Sequence, residues 1–465
     1  MMPLAIPIGV CALAVLVLAI DLVPGTGPRR GAAALAAAGL AALFVATWFV
    51  PSGVALSGAF ENDAFTVYVQ RIVLGAGVLA ATGMIDHAER LFPRRHGEYL
   101  LLLLASTCGM TLLPGAKELI TLIVAFELMG VPLYAMAALH KGTTIGNEGA
   151  VKLYVAGAVS AAITAYGLSF VIGATGETMF SVVRPGEGPM IVLGALLMLA
   201  GMAYKLGAVP FHGWVPDTYQ GAPAPFVAFL SVAPKAAGLA GMARLLWEAF
   251  PRTADRWTPI LLALAILSMA IGNALAIPQS NARRLLAYSG IGHMGLLLLA
   301  LLMGRGSGLE AMVFYLATYV AANMGAFLVA EAVEADGGGE IAHFNGLARR
   351  NPGLGLALLL FLLSLGGIPF VAGFWGKMVL FRNAWLAGYT WFVLAGALVT
   401  VVGLFYYLRL GRAVYIEAPT NTAPVATGGA MRTAIVLAVL VTVGMGVFPT
   451  PFIEAAAAAG VAVGR

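Results

Sequence analysis

The chain has 465 residues, 61% of them hydrophobic and 10% charged, with a formal net charge of +5. A mean hydropathy of +0.93 leaves too little polar surface to cover a water-soluble fold, which excludes an ordinary soluble domain. The small, dispersed positive charge gives no basis for nucleic-acid binding. Two cysteines and six histidines, scattered along the chain, form no disulfide framework or metal-ligand spacing and so predict no haem, iron–sulfur cluster or zinc here.

At about 20 apolar residues per crossing, the chain reads as an all-α polytopic membrane protein of about 14 transmembrane helices. They are predicted at 3–22, 31–50, 64–86, 98–113, 117–139, 148–173, 189–210, 224–249, 257–277, 282–303, 309–334, 353–385, 389–410 and 430–453. The first run has the length of a signal peptide but no basic stretch before it. Arg29 and Arg30 follow it instead, which predicts a retained helix with its N-terminus outside. All loops are short and leave no room for a soluble domain. The 58 glycines suit close approach of packed membrane helices.

Lysine and arginine set the expected orientation. One face would carry Arg29, Arg30, Arg90, Arg94, Arg95, Lys141, Arg283, Arg284, Arg349, Arg350, Arg409, Arg412 and Arg432. The other has a thinner set: Lys117, Arg184, Arg252, Arg256, Arg305, Arg382 and Arg465. The richer face is expected to be cytoplasmic, and an even number of crossings then puts both termini on the periplasmic side.

Two stretches resemble each other, KLGAVPFHGW (205–214) and LGGIPFVAGFWGK (365–377). Both place small residues and a Pro-Phe pair, at Pro210 and Pro369, inside an apolar run. A proline there removes a helical hydrogen bond, so the seventh and twelfth helices are predicted to be broken. The two run in opposite directions, the mark of an inverted repeat. The predicted organisation is a three-helix segment at 1–97, inverted five-helix repeats at 98–249 and 257–410, and a final helix within 411–465.

Four ionisable groups lie deep in these runs: Glu127, Lys205, Lys235 and Lys377. Glu127 is about 15 Å from the nearer end of its helix at 1.5 Å per residue, too far to snorkel. Charges at such depth face a bundle interior or a hydrated path. A Glu–Lys pair at roughly 6 Å and an effective dielectric of 20 is worth about 2.8 kcal/mol, enough to decide whether a lysine keeps its proton. One glutamate among several lysines therefore suits switched proton transfer; a metal cation would want more carboxylates or carbonyls. Tyr288, Ser289 and His293 in LLAYSGIGHMG are candidates to extend a proton path. Lys117 and Lys152 read as snorkelling anchors near helix ends, Arg71 and Arg244 as interfacial, and His212 as solvent-exposed.

The motifs FELMGVPLYAM, EGAVKLYVAGAVSAAITAYGLSFVIGATG, KLGAVPFHGWVPDTYQGAP, PKAAGLA, NARRLLAYSGIGHMG and LARRNP resemble the antiporter-like membrane subunits of proton-pumping NADH–quinone oxidoreductase, respiratory complex I. The resemblance covers about residues 60–415. VPDTYQGAP, the lysine of SVAPKAAG and Lys377 resemble the N type rather than L or M, and no long lateral helix follows the fourteenth span. The resemblance implies that Glu127 modulates Lys205, that Lys235 is a central relay and that Lys377 serves the exit half-channel. It also implies that Lys152 lies near the fifth-helix glutamate. Pro234, just before Lys235, and Pro132, after Glu127, depart from the family's pattern.

The implied function is proton translocation within a redox-driven complex, by a subunit with no redox centre of its own. NADH, flavin, iron–sulfur clusters and quinone are then expected in partner subunits, among them other antiporter-like and small helical membrane subunits. A bacterial inner membrane, with lipid around the chain, is the expected setting. Two alternatives remain open: a subunit of a multisubunit sodium/proton antiporter, and a structural subunit whose charges only hold helices together.

Overall fold

The computed structural model describes residues 2–22, 30–91, 96–139, 142–335, 338–419 and 422–462. Arg29, Arg94, Arg95, Lys141 and Arg465 lie outside the described residues, as does the side chain of Arg90. Among the described residues twelve helices are long and apolar enough to cross a membrane, and two further apolar helices, Arg30–Ala46 and Pro352–Gly366, are shorter; together they fall at the fourteen predicted crossings.

Contacts between loops sort these crossings onto two faces. On the N-terminal face, Phe60 bridges to Ala116 and Glu118 to Met179. Lys117 reaches Glu248 at 2.7 Å, Asn383 donates to the Ser307 carbonyl, and Gly460 abuts Gly306. On the opposite face, Arg283 donates to the carbonyls of Gln220 and Ala222 and pairs with Glu334. Arg409 donates to Ile277 and Arg350 to Ala423. Residues 2–4 and the last described turn therefore share one face, as an even number of crossings requires. A short hairpin, Gly53–Ala55 with Phe60–Asn62, caps the N-terminal face.

The enclosed centre consists of the eighth, tenth and eleventh spans. Each is 94% buried over its apolar window, against 33% for the sixth and 22% for the thirteenth. Lys235 and His293 lie on these enclosed spans. The outer helices present large apolar side chains such as Tyr166, Trp391 and Leu398 to the surroundings.

Three breaks shape the interior. The seventh span ends its first helix, Pro189–Leu206, at Gly207 with φ 69°, and the twelfth ends Pro352–Gly366 at Gly367 with φ 79°. The closing bonds match: Ala208 N–H to the Ala203 carbonyl, and Ile368 N–H to the Leu363 carbonyl, both 3.0 Å. This six-to-one bond beside a left-handed glycine is the Schellman cap. Pro210 and Pro369 therefore lie inside the breaks, but glycine is what stops each helix. The chain resumes as Trp214–Gly221 and Ala372–Leu386.

The third break divides the eighth span into Ala224–Leu230 and Ala233–Arg244. Pro234 falls in the first turn of the second piece, where its missing N–H costs nothing. The final span continues past the predicted 453: after Gly429–Val447 it breaks and resumes as Thr450–Ala462. Gly446 packs on the backbone of Phe370 and Val371, and Trp375 Nε1 donates to the Gly446 carbonyl at 2.9 Å. The fourteenth span is thus interrupted beside the break of the twelfth. Cys11 and Cys108, which no spacing relates, meet as free thiols with sulfurs 3.1 Å apart.

Candidate functional site

Lys205 occupies the last turn before the Gly207 cap, and its side chain is only 9% exposed. Its ammonium donates to Glu127 Oε1 at 2.9 Å and to the Phe126 carbonyl at 2.8 Å. The Phe126 ring lies 4.1 Å below it, a cation–π contact. The fifth and seventh spans therefore bring together the glutamate and lysine expected to interact.

From Lys205 a cavity runs to Lys235, bounded by Tyr134, Trp214, Tyr219, Leu230 and Pro234. The Lys235 ammonium donates to the Gly290 carbonyl at 3.3 Å and stands 5.7 Å from the Tyr219 ring. Three residues beyond Gly290 is His293. Its Nδ1 is bonded to Tyr315 Oη at 2.6 Å and its Nε2 to Tyr407 Oη at 3.0 Å, so whichever tautomer is present, hydroxyls flank both ring nitrogens. Tyr407 is in turn bonded to Ser289.

Two further cavities are each lined by both His293 and Lys377. The Lys377 ammonium donates to the Leu365 carbonyl at 2.8 Å, at the C-terminal end of the helix before the break. That carbonyl is one of those a helix end leaves unpaired, and the negative end of the helix dipole favours a cation there. Lys205 and Lys235 thus share one cavity and His293 and Lys377 two others, with Glu127 bonded to Lys205 at the head of the series.

Two expected members are placed elsewhere. Tyr288 presents its ring to the Arg284 guanidinium at 5.9 Å, one turn nearer the helix start than His293. Lys152 pairs with Glu148 and Asp217, each at 2.5 Å, and Asp217 also binds Arg284 at 2.5 Å. The partner of Lys152 is thus the carboxylate of the second half of the seventh span and a glutamate one turn away, not Glu127. His212 is part-exposed beside the Pro210 carbonyl.

Sequence reasoning missed most of the hydroxyls. Tyr134, Tyr219 and Tyr319 have buried phenol oxygens that find no hydrogen-bond partner among the described residues, and each lines one of the cavities. Tyr134 lies seven residues after Glu127, and Tyr315 and Tyr319 are four apart. Helical spacing put each set on one face, a signal that was available. Tyr407 offered none.

Arg244, expected at an interface, is fully buried. It donates to Glu248 Oε1 at 2.5 Å and Asp63 Oδ2 at 2.6 Å, to the Pro114 carbonyl at 2.7 Å and to Thr66 Oγ1. Burial pairs this guanidinium because an unpartnered charge at that depth is prohibitive. Lys117 extends the cluster by pairing with Glu61 at 2.6 Å and Glu248 at 2.7 Å. Burial alone would raise the Asp63 carboxyl. The Arg244 charge, with hydrogen bonds from Arg244 and Thr66, outweighs burial and holds it below its usual value of 3.8. Arg71 is part-exposed, bonded to Thr47 and stacked over Trp48 at 4.0 Å, in keeping with an interfacial place. No group of three or more His, Cys, Asp or Glu that could hold a metal occurs among the described residues.

The family model described as "NADH:quinone oxidoreductase/Mrp antiporter, TM" matches residues 116–403. NADH-quinone oxidoreductase subunit N of Moorella thermoacetica is 39% identical over 457 residues, covering 96% of each chain. A chain of respiratory complex I from Thermus thermophilus is 34% identical with a TM-score of 0.82, over 97% of this chain and 99% of that one. A chain of the Mrp complex from Dietzia sp. DQ12-45-1b superimposes with a TM-score of 0.86 over 99% of this chain and 96% of that one, at 19% identity, a likeness of fold. Broken seventh and twelfth spans, a buried lysine line and these relatives together place the chain in the subunit N family of NADH–quinone oxidoreductase, the antiporter-like membrane subunits of respiratory complex I.

Proposed function

We propose that this chain moves protons across the membrane through the line Glu127, Lys205, Lys235, His293 and Lys377, driven by quinone reduction elsewhere in the complex. The observation that carries the reading is the Glu127–Lys205 ion pair at 2.9 Å, set where the seventh span breaks and opening onto the cavity that reaches Lys235. A carboxylate on a separate helix is an adjustable holder of the lysine's proton. Moving Glu127 away removes the Coulomb attraction that keeps the ammonium charged, and the proton is released into the cavity.

Each later station has the chemistry the step needs. Lys235 and Lys377 carry a proton on nitrogen, with a backbone carbonyl to accept its hydrogen bond. His293, between two tyrosine hydroxyls, takes a proton on one nitrogen while releasing one from the other. The hydroxyls of Tyr134, Tyr219 and Tyr319, without a hydrogen-bond partner among the described residues, line these cavities, and water there would complete the hydrogen-bonded route. Lys377 then serves the exit side.

Around this path we assign residues 98–249 and 257–410 to two inverted repeats, a division supported by the matched caps at Gly207 and Gly367. The face richer in lysine and arginine is assigned to the cytoplasm, with both termini periplasmic in a bacterial inner membrane. NADH, flavin, iron–sulfur clusters and quinone are assigned to partner subunits, with other antiporter-like and small helical subunits as neighbours.

The test is proton uptake by liposomes containing the purified complex, with NADH and quinone, comparing wild type with Lys205→Ala. Intact assembly with proton uptake lost supports the reading. Transport that follows a sodium gradient without NADH would replace it with the antiporter function. A variant that assembles in lower yield but pumps normally per assembled complex would leave only a structural role.

A further inference from the structure

Each buried lysine of the line stands against a glycine. A Cβ on Gly130 would lie 2.4 Å from Lys205 Nζ, 2.5 Å from its Cε and 2.8 Å from Tyr134 Oη. A Cβ on Gly290 would lie 3.0 Å from both Lys235 Nζ and Tyr319 Oη, and one on Gly367 would lie 2.8 Å from Lys377 Cδ. In each case the ammonium's carbonyl partner is close by in the chain: Phe126 for Gly130, Gly290 itself, and Leu365 for Gly367.

Helix geometry explains the first pair. Every Cα–Cβ bond leans toward the helix N-terminus, so a side chain four residues on covers the carbonyl behind it. Gly130 is four residues after Phe126, and its missing side chain uncovers the carbonyl that Lys205 uses. Gly290 leaves bare the side of the tenth span that meets Lys235. Gly367 has a separate reason to be glycine, its positive φ, and is set aside.

We propose that Gly130 and Gly290 are positioning residues of the lysine line, each clearing the seat in which one ammonium reaches a backbone carbonyl. The atoms that an added methyl would meet are the ends of a lysine and a tyrosine, which can swing away. The fold therefore tolerates alanine, and the cost falls on where the ammonium sits. Without the seat Lys205 leaves the Phe126 carbonyl and its place beside Glu127, and Lys235 leaves Gly290. This inference rests on the proton-transfer reading above.

The experiment is a double-mutant cycle in the purified complex, reading proton uptake per quinone reduced, assembly and Tm. Gly130→Ala and Gly290→Ala should each assemble and lower uptake roughly tenfold, the worth of one hydrogen bond to a charged group. In the Lys205→Ala background, where uptake is already lost, Gly130→Ala should leave assembly and Tm unchanged, and Gly290→Ala likewise in Lys235→Ala. Gly444→Ala, where an added Cβ meets nothing within 4 Å, should behave as wild type. Full uptake in both alanine variants overturns the proposal, as does a loss of assembly that is equally large in the lysine-free background. If Lys205→Ala itself pumps normally, the proton-transfer reading falls. A cryo-EM structure of Gly130→Ala then judges the seat: Lys205 Nζ still on the Phe126 carbonyl overturns it, and a displaced ammonium upholds it.

Discussion

Lys377 closes the break in its own span: its ammonium, in the second helix of the twelfth crossing, donates to Leu365 at the end of the first, 2.8 Å away. The lysine is therefore a proton carrier candidate and a cap on exposed helix carbonyls at once. Lys377→Met keeps the apolar stem but removes the donor. We expect proton uptake to fall about tenfold or more, with partial recovery in Lys377→Arg, which restores a donor. Proton uptake by the reconstituted complex at constant quinone reductase activity checks this; equal pumping in all three proteins would contradict it.

Glu127 pairs with Lys205, so Glu127→Gln should preserve the shape of the pair while deleting its Coulomb attraction. At the contact distance of 2.9 Å this is an interaction of several kcal/mol at an effective dielectric of about 20. Assembly should be retained and steady-state pumping should drop severalfold. Glu127→Asp, with a carboxylate one methylene shorter, should fall in between.

The matched caps predict matched sensitivities. Gly207→Val and Gly367→Val each force a β-branched residue to positive φ, at a cost of about 1–2 kcal/mol or more. At Gly207 the added carbon would also lie 2.5 Å from Val215 Cγ2. Both variants should lower the Tm of the isolated complex. Pro369→Ala should disturb it less, since that proline ends no helix. A larger loss from Pro369→Ala than from Gly367→Val would show that the proline, and not the glycine, sets that break.

The Arg244 cluster predicts an acid limb of stability. Asp63 titrates below its usual 3.8 in the folded chain, so its stabilising contribution is complete above roughly pH 4, near the unfolded value. It is lost as pH falls through the lower folded value. Asp63→Asn should lower Tm at neutral pH and flatten the acid limb measured by thermal unfolding. Arg244→Met leaves Asp63 without its cation, while Glu248 keeps Lys117, and should cost about 3–5 kcal/mol. An unchanged acid limb in Asp63→Asn would remove Asp63 as its source.

Membrane class, the number of crossings and the four deep charges could all be read from the amino-acid sequence alone. A run of apolar residues interrupted by one charge is a local signal, and hydrocarbon imposes its length and its penalty on charge without reference to other helices. The positions of the two breaks were likewise legible to within a few residues, although Pro210 and Pro369 drew attention from the glycines that end the helices. The final span was expected to end at 453; a second helix with Pro451 in its first turn, where proline is tolerated, carries it on to Ala462.

Only the tertiary structure decided which groups meet. His293 and Tyr407 are 114 positions apart, Arg244 and Asp63 181, and Cys11 and Cys108 97; no periodicity reaches across such separations. Lys152 found Asp217 rather than Glu127, and Arg244 moved from an expected interface to full burial, because helix packing determines which faces oppose one another. Hydrophobic patterning places each helix in the membrane, while the partners of each lysine, and the glycines that give it room, depend on how fourteen crossings pack together.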